Sequence, residues 1–253
     1  MTKHFIEAIN EILSFREYFD SYNLKLKALE YENQLEGDPV IYQFNNYGFR
    51  CDDFVVGKKD ILFSGCSITN GDALPLDYTW SKKMYDHILK DKGYSGYHSL
   101  AKSGNSYKKI VFDIINYCKH FGNPESVFVL FPNTPRFQEW REDGFFHPEC
   151  LKTDSKQIPE YFLDAFYSII MLEQYCKSNG IKLYWSTWDE AINEAVVGMN
   201  VGVERYVPTK LWYFDEYQPS TSYYLFARDR EHPGSKFHQE VFECFLKAYE
   251  EEL

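Results

Sequence analysis

The sequence predicts an α/β fold in which a mostly parallel sheet lies between two layers of helices. Three observations predict it. Short apolar runs rich in β-branched and aromatic residues recur at Ile61–Phe63, Ser126–Phe131 and Ile181–Trp185, as expected of strands buried on both faces. Segments with apolar residues at helical spacing lie between them. The two kinds of segment alternate along the chain, which selects parallel strands joined by crossover helices.

The elements follow in order. Residues 3–30 place Phe5, Ile9, Ile12, Phe15 and Phe19 at helical spacing and then become charged. This predicts an N-terminal helical extension. A short strand or loop over 41–56 carries Asn45-Asn46-Tyr47-Gly48-Phe49-Arg50. Residues 1–56 are thus expected to pack as an extension on a main domain spanning 57–253. Ile61-Leu62-Phe63 ends in Ser64-Gly65 and reads as the first buried strand. Asp77 is placed to cap a helix with Trp80, Met84 and Ile88 on one face. Tyr97–Leu100 reads as a second, weaker strand. Asn105 is placed to cap a helix whose apolar stripe is Ile110, Val111, Ile114, Ile115 and Cys118. Ser126–Phe131 is a strand stopped by Pro132. Pro159 suits the first turn of a helix running to Asn179, with Gly180 at its C-terminal cap. Ile181–Trp185 follows as a fourth strand. Residues 188–228 are expected to hold a helix, a fifth strand near Leu211–Phe214 and long loops. Pro233-Gly234 opens a last helix with Phe237, Val241, Phe245 and Tyr249 on one side.

At 253 residues the chain is most simply one large domain. Its 38 acidic against 27 basic residues give a net charge of -11, which argues against a nucleic-acid backbone or an anionic membrane as partner. The six cysteines form no CxxC pair and read as buried, reduced thiols. The N-terminus has no apolar signal core, and no apolar run is long enough to span a bilayer. A cytoplasmic protein is therefore expected. Phosphate-loop, dinucleotide and zinc spacings are all missing, so no metal or cofactor is expected. The 21 Tyr, 21 Phe and 5 Trp either fill the core or line a sugar or acyl site; Trp140, Trp188 and the stretch Tyr217–Phe226 are candidates for the second role.

In a parallel sheet the site lies at the carboxyl ends of the strands. Ser67, Gly104 and Asn133 each fall shortly after an expected strand. A serine hydroxyl needs an adjacent base to attack an ester. His232 titrates in the right range, and Asp229, three residues earlier, can hold its tautomer and stabilise its cation. The backbone N–H groups of Ser67 and Gly104 and the Asn133 amide are candidate donors to an oxyanion. The sequence holds two rivals. His147-Pro148 has its nearest upstream acid at Asp143, four residues away, and reads as a surface loop. Cys66 would be a better intrinsic nucleophile, but its side chain is expected to point away from Ser67's side of the chain.

These segments resemble the four blocks of the SGNH hydrolases, the GDSL-type esterases and lipases, over roughly residues 60–250. Ser67, Gly104, Asn133 and His232 stand in the family order. The last block is matched in full at Asp229–Pro233. In the first block Cys66 replaces the usual Asp. In the third, Phe131 replaces the usual Gly, and Thr134 replaces the usual Asp. Asn46-Tyr47-Gly48-Phe49-Arg50 resembles a stretch found upstream in some members. The resemblance implies a three-layer α/β/α sandwich with a flavodoxin-like sheet. It also implies a Ser67 acyl-enzyme with His232 as base, Asp229 orienting it, and an oxyanion hole of Ser67, Gly104 and Asn133. Arg136 is a candidate substrate contact. The expected activity is hydrolysis of small acyl esters, acetyl first, with carbohydrate as the alcohol. Two alternatives stay open: an O-acyltransferase using the same residues, and a silent module that binds glycan or protein. The oligomeric state is not legible.

Overall fold

The computed structural model describes residues 26–27, 40–57, 60–92, 94–133, 136–140, 146–150, 158–199, 206–208, 227–229 and 232–252. Strand β1 (Leu26–Lys27) pairs antiparallel with β2 (Tyr42–Gln43). Then come β3 (Ile61–Gly65), the one-turn helix α1 (Ser67–Asn70), α2 (Trp80–Lys92), β4 (His98–Ser99), α3 (Tyr107–Phe121) and β5 (Ser126–Phe131). A ribbon of β6 (Arg136–Trp140) and β7 (Phe146–Cys150) follows, then α4 (Ile158–Ser178), β8 (Lys182–Thr187), α5 (Glu190–Met199) and α6 (Ser235–Glu250).

The main sheet has the order β4-β3-β5-β8 with every pair parallel. The chain leaves β3 toward one edge and leaves β5 toward the other. The reversal places a crevice at the carboxyl ends of β3 and β5, where such sheets bind ligands. Helices α2 and α6 pack together on one face of the sheet, and α3 and α4 on the other. The strand alternation serves both layers. Phe128 meets Phe245 of α6 at 5.9 Å, whereas Phe131, of opposite parity, stacks on Tyr107 of α3 at 4.7 Å. Trp80 stacks on Phe245 at 4.8 Å and closes the α2–α6 seam. The chain thus has the three-layer α/β sandwich expected from sequence.

Several elements match the sequence reading closely. Phe237, Val241, Phe245 and Tyr249 all turn their α6 face into the core. Gly180, just past α4, has the left-handed φ of +67° that a helix stop requires. The free cysteines Cys51, Cys66, Cys118 and Cys176 are buried, and Cys244 is half-buried.

Other readings are corrected. Asp77 does not cap α2: it lies in a 3₁₀ turn, Leu76–Tyr78, and the chain enters the helix two residues later. Thr79 is the cap, its Oγ1 accepting the Lys82 N–H at 3.3 Å. Asn105 does not cap α3 either. Ser106 does, accepting the Lys109 N–H, because Asn105 is committed to β3. His147-Pro148 is not a loop. It lies in β7, Pro148 standing opposite Gln138, which a two-stranded ribbon with open edges tolerates. Leu26–Lys27 is a strand rather than the tail of a helix; the rest of the proposed N-terminal helix lies outside the described residues. So does the expected strand at Leu211–Phe214, although Tyr206 forms a single parallel bridge to Trp185 of β8.

Candidate active site

Ser67 is the first residue of α1, directly after β3, and is 5% exposed. The turn into α1 is tight, and Gly65 is required there. A Cβ on Gly65 would sit 2.1 Å from Thr69 Oγ1 and 2.8 Å from the Leu130 carbonyl. Cys66 is fully buried and makes no side-chain cap to α1. A thiol sealed in the core fits the spacer role rather than that of a nucleophile.

Gly104 has φ +77°, a conformation in which its backbone comes close to neighbouring groups without a Cβ penalty. The next residue, Asn105, donates its side-chain amide to the Gly65 carbonyl at 3.1 Å. This bond ties the Gly104 segment to the end of β3. Asn133 is half-buried two residues past β5. Gly65 is in register with Leu130, so Ser67 and Asn133 leave neighbouring strands at the same end of the sheet.

Asp229 and His232 are joined twice. Asp229 Oδ2 lies 2.6 Å from His232 Nδ1, and Asp229 Oδ1 accepts the His232 backbone N–H at 3.0 Å. The carboxylate therefore fixes both the ring and the backbone of the residue that carries it. With Nδ1 bound to a carboxylate, the proton of the neutral ring belongs on Nδ1, and Nε2 is the basic nitrogen. The His232 side chain is one quarter exposed. The segment is docked by backbone bonds, Arg228 N–H to the Ala73 carbonyl at 2.9 Å and Ala227 N–H to the His232 carbonyl at 2.9 Å.

The turn after α1 joins these pieces, and sequence reasoning assigned it nothing. Asp72 donates its backbone N–H to the Ser67 carbonyl at 3.1 Å. Asp72 Oδ2 lies 4.0 Å from His232 Nε2 and accepts the Ser103 hydroxyl. Ser67, the Ser103–Gly104 segment and His232 thus all meet Asp72. The turn is clamped from the 40–54 segment. Arg50 donates to the carbonyls of Asn70 at 3.0 Å, Gly71 at 2.6 Å and Leu74 at 2.9 Å. Tyr42 accepts the Ala73 N–H at 2.5 Å, and the Arg50 guanidinium lies over the Tyr42 ring at 4.1 Å. Asn45 shapes the approach, its Oδ1 accepting the N–H groups of Tyr47 and Phe49. The Asn-Tyr-Gly-Phe-Arg stretch, noticed in the sequence without a role, ends in the residue that holds this turn. Asp72 carried no such signal, since Asn-Gly-Asp reads as an ordinary turn.

Three sequence candidates are not placed. The side chain of Arg136, at the start of β6, lies outside the described residues, as do the side chain of Trp140 and the stretch Tyr217–Phe226. Trp188 packs partly buried against the core. Among the described residues no group of three His, Cys, Asp or Glu is arranged to hold a metal. No described helix is long and apolar enough to cross a membrane.

No family model matches the chain, and no curated protein matches it at a significant level. Solved structures do. The crystal structure of TesA is 13% identical with a TM-score of 0.50, over 77% of this chain and all of that one. A psychrotrophic esterase, EstA from Pseudoalteromonas sp., is 9% identical over 77% of this chain and 98% of its own, with a TM-score of 0.44. A member of the lipolytic G-D-S-L family from Veillonella parvula is 11% identical over 76% and 99%, with a TM-score of 0.45. At such identities the likeness is one of fold, and the TesA match carries it.

Proposed function

We propose that this chain is a serine esterase of the SGNH type, acting through an acyl-enzyme on Ser67. The observation that carries the reading is the Asp229–His232 pair, with Nδ1 held at 2.6 Å and the imidazole left partly open to solvent. A carboxylate, an imidazole and a serine at the mouth of a sheet crevice serve acyl transfer; glycan or protein binding needs none of that order.

In this reading the Ser67 hydroxyl adds to the ester carbonyl carbon and its proton passes to His232 Nε2. The carbonyl π electrons move onto oxygen, which receives hydrogen bonds from the Ser67 and Gly104 N–H groups and the Asn133 amide. The tetrahedral adduct collapses, the C–O bond to the alcohol breaks, and the departing oxygen takes the proton from His232. Water then adds to the Ser67 ester and gives a proton to His232; the second adduct collapses, the bond from the acyl carbon to the Ser67 oxygen breaks, and that oxygen takes the proton back from His232 as the acid leaves. Asp229 stays ionised throughout and stabilises the imidazolium. The substrate is a small acyl ester, acetyl first, with a carbohydrate hydroxyl as the alcohol. The family resemblance and the abundance of aromatic residues support that choice.

The test is turnover of p-nitrophenyl acetate and of acetylated sugars by the wild type and Ser67→Ala. Loss of turnover in the variant is expected; undiminished turnover would remove Ser67 from the chemistry. Adding a sugar acceptor separates hydrolysis from transfer, since an acetylated acceptor among the products would identify a transferase.

A further inference from the structure

Asp229 is not the only carboxylate beside His232. Asp72 Oδ2 lies 4.0 Å from Nε2, on the opposite side of the ring from Asp229. The Asp72 side chain is 8% exposed. It cannot swing away, because each of its oxygens is committed: Oδ1 accepts the Asn70 amide at 2.6 Å, and Oδ2 accepts the Ser103 hydroxyl. The turn that carries it is held by Arg50 and Tyr42. Its backbone reaches back to the Ser67 carbonyl. A serine–histidine–carboxylate mechanism calls for one carboxylate on Nδ1. It does not require a second, fixed negative charge facing the nitrogen that collects the proton.

We propose that Asp72 is a positioning residue for the catalytic base: it stabilises the His232 imidazolium from the Nε2 side and so sets the pH at which the base is free. A carboxylate within about 4–6 Å of an imidazole favours its cation, typically by a unit or more of pKa. Among the described residues the other charged and titratable groups near this ring are unchanged in the variants compared below, which therefore isolate the Asp72 charge. The Arg50 guanidinium keeps its positive charge while it donates to three carbonyls of the Asp72 turn. His238 of α6 is fully buried and held neutral, its pKa pushed down to about 3 by burial and then by Lys83, His232 and Arg50. Arg228, next to Asp229, docks its backbone on Ala73. Among the described residues Asp229 and Asp72 lie at the ring, one at each nitrogen.

The alternative is that Asp72 is only a tether between the Ser67 turn and the Ser103–Gly104 segment. Two variants separate the possibilities. Asp72→Asn removes the charge but keeps an oxygen for the Asn70 amide. Ser103→Ala breaks the tether but keeps the charge. The inference rests on the esterase reading, so it is measured first without substrate. The His232 ring is titrated by NMR on histidine-labelled protein, its signal among the seven histidines assigned by its loss in His232→Asn. The acid limb of kcat/KM for p-nitrophenyl acetate is then followed. Expected is a fall of about one unit in the His232 pKa and in the acid limb for Asp72→Asn, with no fall for Ser103→Ala. Asp72→Ser serves the same purpose if the amide does not fold. An unchanged His232 pKa in the charge-removing variant overturns the proposal. Absence of turnover in the wild type removes the esterase reading instead and leaves the titration to judge Asp72.

Discussion

His238 Nδ1 accepts the backbone N–H of Trp80 at 3.1 Å, joining the last helix to the first residue of α2 across 158 positions of sequence. A ring that accepts at Nδ1 is the neutral tautomer with its proton on Nε2, and the surroundings enforce neutrality. Burial, then Lys83, His232 and Arg50, push the His238 pKa down to about 3.

The consequence is acid sensitivity. Below the ordinary histidine value near 6.5 the unfolded chain takes up a proton that the folded chain refuses. Stability from this residue is therefore complete above pH 6.5 and is lost as pH falls toward 3, at about 1.4 kcal/mol per pH unit. His98, also lowered by burial, acts in the same direction. His238→Gln keeps an acceptor for Trp80 and removes the titration. Urea unfolding from pH 6.5 to 4.5 should give a shallower loss of stability in the variant; equal slopes would show that His238 is not the group that refuses the proton.

Arg50 supports a second prediction. Its guanidinium satisfies three carbonyls of the turn between α1 and the 3₁₀ segment. Lysine cannot match that fork. Arg50→Lys should cost about 3 kcal/mol by leaving buried carbonyls without donors. It should also lower kcat on the order of tenfold, because the same turn carries Asp72 and backs Ser67. Denaturant melts and steady-state kinetics on one preparation check both halves.

Asp229→Asn preserves an oxygen for the His232 backbone N–H but can no longer hold the Nδ1–H tautomer. The kcat for p-nitrophenyl acetate is expected to fall about 10³–10⁴-fold with little change in melting temperature. A drop within a few-fold of wild type would remove Asp229 from its assigned role.

Asn133→Ala tests the oxyanion hole at its most altered block. Removal of one donor is worth about a hundredfold in kcat with KM nearly constant. A rise in KM at constant kcat would instead make Asn133 a ground-state contact.

What was legible in the sequence follows from locality. Ser126–Phe131 and the α6 stripe at Phe237, Val241, Phe245 and Tyr249 announce themselves by period, since burial imposes it residue by residue. Asp229 and His232 sit in one short segment, and their contact is nearly written into the spacing. Helix caps were less legible, because Asp77, Thr79, Asn105 and Ser106 are all good cap residues and only long-range demands separate them. Asn105 was drawn to the Gly65 carbonyl, 40 residues away in sequence, and Ser106 took the cap. His147-Pro148 reads as a loop when it is judged only by its spacing from Asp143, yet it lies in β7, where the edge of a ribbon accepts the proline. Asp72 and Arg50 were invisible as site residues because the partners that tie them into the site, Asn70, Gly71 and Leu74 for Arg50 and Ser103 and His232 for Asp72, lie 20 to 160 positions away, and no local pattern records a clamp built by tertiary contact.

The most direct measurement is covalent capture of the nucleophile. A fluorophosphonate should add to the folded protein at one residue, and digestion with mass spectrometry should place the adduct on Ser67. Labelling should vanish in Ser67→Ala and slow sharply in His232→Ala, since the serine would have lost its base. An adduct on Cys66 or elsewhere, or a wild-type protein that stays unlabelled while remaining folded, would contradict the claim that Ser67 and His232 form one reactive unit.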